Sequence, residues 1–401
     1  MADMITGSAE KLARWAYELS PTAFDIELAT RSLRDTVAVA LAARDDPLRA
    51  VFGRLPEPGQ WAATAHVLSF DDLHLPSTAH VSAVCVPAVL AVGGEARAYL
   101  AAAGVMARLG TAFGWPHYAS GWHTTCTAGA PAAAAGAAVA LGLGPSEIAE
   151  AMALAVPAAG GVRRAFGTSA KALQVGFAAD AGVRAARLVA AGANADPGAV
   201  DQWIALLGGE PARIDPSGPA IPGGLAVKLF PCCYSLQRPI AATRTLMAEA
   251  GLDPAEVTRI QITTPRSTTG PLIKHRPRTG AEGALSLEYA VAATLLDAEP
   301  GFASFTTAAV TRPTAAHLMD RTSVELTEEG EGLLAGQVEV CVETVRSSHT
   351  ATLITLSGAP GGRPADEELH TKWDTCGAAV ADLDWDTAPA ALRAALPAGR
   401  R

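Results

Sequence analysis

The stretch Gly129-Ala-Pro-Ala-Ala-Ala-Ala-Gly-Ala-Ala-Val-Ala-Leu-Gly-Leu143 decides the fold class. A Gly144-Pro145 stop and start follows it, and then a second helical segment to Ala158. Alanine has the highest intrinsic helix propensity, and small side chains let two helix axes approach closely. The stretch therefore reads as helix packed on helix. Outward from it, the same texture holds from about residue 8 to 228. Helices are predicted over Asp25–Asp45, with an apolar stripe at Leu28, Leu33, Val37, Val39 and Leu41, and over Val81–Val92, Glu95–Leu109, Lys171–Ala191 and Pro197–Leu207.

The texture changes near residue 208, where Gly208-Gly-Glu-Pro and Pro216–Gly224 carry loop punctuation. A helix is predicted from Ser235 to Ala250, and another over Ser286–Leu296. Glu256–Thr264, Thr322–Leu326, Gly336–Val342 and Ala351–Thr355 alternate as strands. The expected architecture is mainly α. A large all-helical bundle domain spans 1–230, and a smaller α+β lid domain with an antiparallel sheet spans 231–357. The tail from Ala365 is again Ala-rich and is expected to return to the first domain, completing it with C-terminal helices in 358–401.

Composition supports a packed, water-soluble chain. Of 401 residues, 49% are hydrophobic and 18% charged, and mean hydropathy is +0.21. Such material builds a large core and excludes wholesale disorder. The net charge is −9, without a basic stripe interleaved with aromatics, so nucleic acid is not an expected partner. No window reads as a membrane span, and Met1–Thr6 does not open an export leader. Six cysteines, at 85, 126, 232, 233, 341 and 376, form no CxxC and no zinc spacing with histidine. A reduced, cytoplasmic protein without a metal is expected.

Four clusters could carry chemistry. Phe70-Asp-Asp-Leu-His-Leu-Pro-Ser-Thr-Ala-His80 brings two carboxylates and two imidazoles into one Pro-containing loop, as acid–base work requires. Pro116–Cys126 contains Gly121-Trp-His-Thr124, which sets an imidazole at a helix start whose backbone donors suit a carboxylate. Gly167-Thr-Ser-Ala-Lys171 places a lysine among alanines at another helix start, where burial and the dipole depress its pKa. Gly224–Tyr234 puts Lys228 at the seam between the two units, where small-molecule pockets form. No GxSxG elbow supports a serine hydrolase, and no strand-bounded GxGxxG supports a nucleotide fold.

These clusters, in this order, resemble the MmgE/PrpD family, which includes 2-methylcitrate dehydratase, cis-aconitate decarboxylase and iminodisuccinate epimerase. The resemblance rests on Phe70-Asp-Asp with His80, Gly121-Trp-His-Thr, Gly167-Thr-Ser-Ala-Lys, Lys228-Leu-Phe-Pro-Cys-Cys and Ser286-Leu-Glu-Tyr-Ala290. It implies a homodimer that works without cofactor on small carboxylates, at a site between the two domains. By motif position it implies His123, Lys171, Lys228 and His80 as catalytic, with Tyr118 a further proton carrier. Substrate binding is expected from Asp72, His74, Thr124, Gln174 and Tyr289. Four positions depart from the family pattern: Ser69, Leu73, Gln174 and Gln237. The expected function is a cofactor-independent, dehydratase-like lyase acting on a hydroxylated polycarboxylate through a carbanion or enediolate. The alternatives are an isomerase, epimerase or decarboxylase of the same family, or an inactive carboxylate-binding paralogue.

Overall fold

In the computed structural model, residues 7–359 and 366–397 are described. The opening residues 1–6 and the stretches 360–365 and 398–401, which carry part of the expected tail, lie outside them.

The Ala/Gly text at 129–140 is a buried central helix. It lies between the helices Ala96–Ala119 and Ala170–Ala190. Its side chains are almost all methyl groups or hydrogen, and two glycines show why. A Cβ on Gly136 would stand 2.6 Å from the Cβ of Ala102 and 3.0 Å from the carbonyl of Ala98. A Cβ on Gly182 would stand 2.4 Å from that of Ala133 and 2.6 Å from the carbonyl of Ala130. Larger residues there would push the helices apart and forfeit dispersion contacts along their length.

Around this centre one hydrophobic cluster gathers the helices Ser8–Glu18, Ala23–Ala42, Glu57–Val67, Ser82–Leu90 and Pro145–Ala155. The first and third of these lie in text the sequence marked only as broadly helical. The helix Ala96–Ala119 runs ten residues beyond its expected end. It breaks at Gly114, whose φ of +66° redirects the last turn and the Tyr118 it carries. The C-terminal helices Asp366–Thr375 and Ala388–Ala395 join the same cluster through Leu369, Trp373, Leu392 and Leu396.

A second cluster begins at Phe230 and holds the helices Gln237–Ala250, Leu287–Asp297 and Pro313–Asp320 against a four-stranded sheet. The strands are β1 (Val257–Pro265), β2 (Thr322–Thr327), β3 (Val338–Thr344) and β4 (Ser348–Leu353), in the order β2-β1-β3-β4. Their inner face carries Ile260, Ile262, Val338, Val340 and Val342, all buried. The expectation of an antiparallel sheet needs correction. β1 pairs with β3 and β3 with β4 antiparallel, but β1 and β2 run parallel, Ile260 opposite Thr322. The helices between β1 and β2 form the crossover that a parallel pair requires. Period-two patterning is identical for both directions, so the sequence could not separate them.

A third, small cluster of Leu73, Tyr118, Ala226, Tyr234 and Leu333 fills the seam between these two bodies. Among the described residues no helix is long and apolar enough to cross a membrane.

Candidate active site

The helix Glu57–Val67 ends in a tight turn at Ser69, which takes a left-handed φ of +55° despite its side chain. A non-glycine residue there costs on the order of 1 kcal/mol, so its surroundings must hold it. Three lysines do so. Lys228 donates to the carbonyl of Ser69 at 2.8 Å, Lys171 to its Oγ at 3.0 Å, and Lys372 to the carbonyl of Phe70 at 2.9 Å. Ser69, one of the four positions expected to depart from the family pattern, is thus where Lys171 and Lys228 converge.

Asp71 follows, fully buried, as the hub of the site. His66 Nδ1 donates to its Oδ2 at 2.7 Å. His80 Nδ1 lies 3.0 Å from the same oxygen but off hydrogen-bond alignment, and Lys228 Nζ lies 3.7 Å from Oδ1. Burial opposes ionisation of Asp71, yet His66, His80 and Lys228 outweigh it and hold the carboxyl well below its ordinary range. With Nδ1 of His66 carrying the proton toward Asp71, its Nε2 presents a lone pair to Lys171 Nζ at 2.8 Å. Asp71, His66 and Lys171 thus form one hydrogen-bonded chain.

The imidazoles are kept neutral. Burial lowers His66 to about 3 and His80 to about 4, and pushes His123 well down with help from the nearby His66, His80 and Lys171. His123 lies 5.8 Å from His66 and 6.5 Å from His80, ring centre to ring centre. Its tautomer follows from Gln174. The amide oxygen of Gln174 accepts from the Val162 N–H at 3.0 Å, which turns its NH₂ toward His123 Nδ1 at 2.7 Å. Nδ1 is then an acceptor, and Nε2 holds the proton. Lys171 is partly buried. Burial pulls its pKa down to about 8, with Asp71 raising it and Lys228 lowering it. An amine poised there exchanges protons near neutrality.

Ser69, Thr78, His80, Tyr118, His123, Lys171 and Lys228 line one cavity with Cys233, Tyr234, Pro271, Leu285 and Leu333 from the second body. Its free volume is about 30 Å³. All five residues expected to be catalytic therefore meet in one place. Tyr118 is buried against the Arg163 guanidinium, and burial raises its pKa.

The residues expected to bind substrate are placed differently. Asp72 points away from the cavity and accepts from the backbone N–H and the hydroxyl of Ser82. His74 is held between Ser77 Oγ and the carbonyl of Pro222. Thr124 sits behind Thr78, their hydroxyls 3.3 Å apart. Tyr289 is buried in the second core, where its hydroxyl donates to the Ser304 carbonyl. Gln174 orients His123 rather than lining the cavity. The expected helix dipole at His123 is also slight, because the helix it opens, Thr124–Thr127, has four residues and its own N–H bonds to the Gly161 carbonyl.

The residues expected from sequence include Asp72 but neither His66 nor Asp71, the two that the structure brings together with His80. Successive residues of an extended segment point to opposite sides, so only one of Asp71 and Asp72 can share a site with His80. His66 carried a weak signal, a lone imidazole one turn before Phe70-Asp-Asp. The donor atoms of His66, Asp71 and His80 lie within 4.8 Å of one another, a grouping that could hold a metal. Here the 2.7 Å contact is a hydrogen bond, and two ammonium groups stand beside the trio. A cation would have to displace that charge, so the arrangement suits proton transfer better than metal binding.

Asp72 makes a separate prediction. Burial raises its carboxyl to about 7 from the ordinary 3.8. Its contribution to stability is present below pH 3.8 and is lost as pH rises through 7. His66 and His80 act oppositely, contributing above pH 6.5 and losing that contribution as pH falls toward 3–4. Comparing Asp72→Asn with wild type cancels the histidines. The variant should gain on wild type by up to about 4 kcal/mol between pH 4 and pH 8, read from urea unfolding at each pH.

Two family profiles match the chain: the MmgE/PrpD N-terminal domain over residues 60–203 and the MmgE/PrpD C-terminal domain over residues 230–393. The second match includes the helices after residue 366, although these pack into the first hydrophobic cluster. None of the curated proteins compared with the chain matches it. The two profiles together span most of the sequence and carry every residue of the cavity except Lys228, two positions before the second match begins; the chain belongs to the MmgE/PrpD family.

Proposed function

We propose that the protein is a cofactor-independent lyase that eliminates water from a small hydroxylated polycarboxylate. Membership of a dehydratase-like family supports the reaction class. The observation that carries the reading is the Asp71–His66–Lys171 chain ending in an amine poised near pH 8, beside the second ammonium of Lys228.

Neutral Lys171 removes the proton α to a substrate carboxylate. The electron pair spreads onto the carboxylate as an enediolate, which Lys228 and the Nε2–H of His123 stabilise. The pair then forms the C=C bond as the C–O bond to the β-hydroxyl breaks. The Lys171 ammonium returns its proton to the departing oxygen, which leaves as water. One proton carrier on one face serves both steps, which favours elimination over epimerisation, where a second carrier must deliver a proton to the opposite face. A cavity of about 30 Å³ takes about two waters. Substrate entry therefore requires the segments carrying Pro271, Leu285 and Leu333 to move outward.

The test is proton NMR in deuterated buffer with citrate-like, malate-like and aspartate-derived carboxylates. Loss of water or deuterium wash-in next to a carboxylate is expected, and His123→Ala should lower either by about 10²-fold, the size of one lost oxyanion donor. Wild-type rates in His123→Ala would remove His123 from the mechanism. Wash-in without loss of water would make the enzyme an isomerase.

A further inference from the structure

Immediately outside the catalytic cavity lies a wider one of about 400 Å³, lined by Ser120, Gly121, Val162, Arg163, Arg164 and Phe166 and by Gly270, Pro271 and Ile273 of the second body. Phe166 and Pro271 line both cavities and form the wall between them. The outer cavity contains two guanidinium side chains and no carboxylate.

Other basic residues nearby are neutralised in place. Arg266 pairs with Glu328 at 2.8 Å, Lys274 with Glu282 at 3.1 Å and Arg276 with Asp320 at 3.1 Å. Among the described residues, Arg163 and Arg164 make no ion pair. The Nε of Arg163 is buried and has no hydrogen-bond partner, although Nη2 donates to the Ala119 carbonyl at 3.3 Å. Its guanidinium lies 4.5 Å from the centre of the Tyr118 ring, which faces the inner cavity. A Cβ on Gly270 would stand 3.2 Å from Arg163 Nη1, so this arginine also borders the segment that carries Pro271. With one carbonyl acceptor at Nη2 and no counter-charge among the described residues, the guanidinium of Arg163 is left short of partners, and a carboxylate is the group whose geometry matches its fork.

We propose that Arg163 and Arg164 form the receptor for a second carboxylate of the substrate, an anionic antechamber site that selects di- and tricarboxylates over monocarboxylates. On a chain of net charge −9, a local positive pocket is what draws such an anion to the entrance. This inference rests on the polycarboxylate reading above and extends it to specificity.

The test is calorimetric titration with tricarballylate, which has no hydroxyl to eliminate, and with propionate. Wild type should bind tricarballylate more tightly than propionate. Arg164→Gln and Arg163→Gln should each weaken tricarballylate about tenfold, leave propionate within about twofold, and show a smaller difference at high salt. Arg164 is exposed, so R164Q carries the test even if R163Q fails to fold, and R163K should recover part of the affinity by restoring charge without the fork. Unchanged tricarballylate affinity in the arginine variants, together with its loss in Lys171→Ala, overturns the antechamber and leaves the polycarboxylate reading intact. A wild-type protein that binds neither probe overturns both.

Discussion

Lys171→Ala lowers kcat/KM by at least about 10³-fold, because general-base catalysis of this kind contributes 10²–10⁴ and the variant also loses a positive charge from the cavity. The pH dependence separates this from a structural defect. In wild type the reactive form is the neutral amine, so kcat/KM rises with pH and levels off above about 8, where Lys171 titrates. Lys171→Arg restores charge and the contact to Ser69 but not activity, since a guanidinium stays protonated throughout. Asp71→Asn tests the chain behind the amine. Asp71 is the neighbour that holds the Lys171 pKa up, so its neutralisation moves the limb below pH 8. It also replaces one of the two carboxylate oxygens by an NH₂ group, so the His66 tautomer is no longer fixed, which costs about 10²-fold or more in the plateau rate. A limb that stays at pH 8 in Asp71→Asn, or near-wild-type rates in Lys171→Ala, would sink the assignment of Lys171 as base.

Lys372→Met destabilises the protein by about 3–5 kcal/mol, the size of a broken buried pair. Lys372 is buried in the C-terminal helix, 2.7 Å from Asp35, and donates to the Phe70 carbonyl at 2.9 Å. Trp373 beside it donates to the same aspartate at 3.3 Å. Removing the ammonium leaves a buried carboxylate that keeps the Trp373 N–H but has lost its counter-charge, and a backbone carbonyl without the Lys372 donor. The double variant Asp35→Asn/Lys372→Met should recover part of the loss, because the stranded charge is gone while the Phe70 carbonyl remains unsatisfied. Urea unfolding at pH 7 measures both. Equal loss in single and double variants would show that the cost is packing and not charge. Phe70 precedes Asp71, so this pair also anchors the turn at Ser69–Asp71, and Lys372→Met should lower activity beyond the fraction unfolded.

The cavity residues that stand next to glycine, proline or a helix start were legible. His123, Lys171 and Lys228 each interrupt apolar or small-residue text, and an ionisable group placed there invites a functional reading. His66 was not, because it lies within a helix of otherwise unremarkable text and acquires its role only when the chain turns back at Ser69. By sequence Gln174 is a departure from the family pattern and an expected substrate-binding residue. In the structure its amide gives His123 a defined tautomer, a property that depends on the Val162 N–H twelve residues away in sequence.

Local composition and periodicity by themselves determined the helical first body, the change of texture near residue 208 and the positions of the four strands. Propensity and side-chain period act over a few residues, and each of these features is set at that range. Tertiary structure alone decided the direction of β2, the side on which Asp71 and Asp72 point, the return of Lys372 to the Phe70 carbonyl and the contact of Arg163 with the Ala119 carbonyl and the Tyr118 ring. Each is a matter of which distant group lies within about 3 Å, and hydrogen bonds and burial act at that distance whatever the separation along the chain.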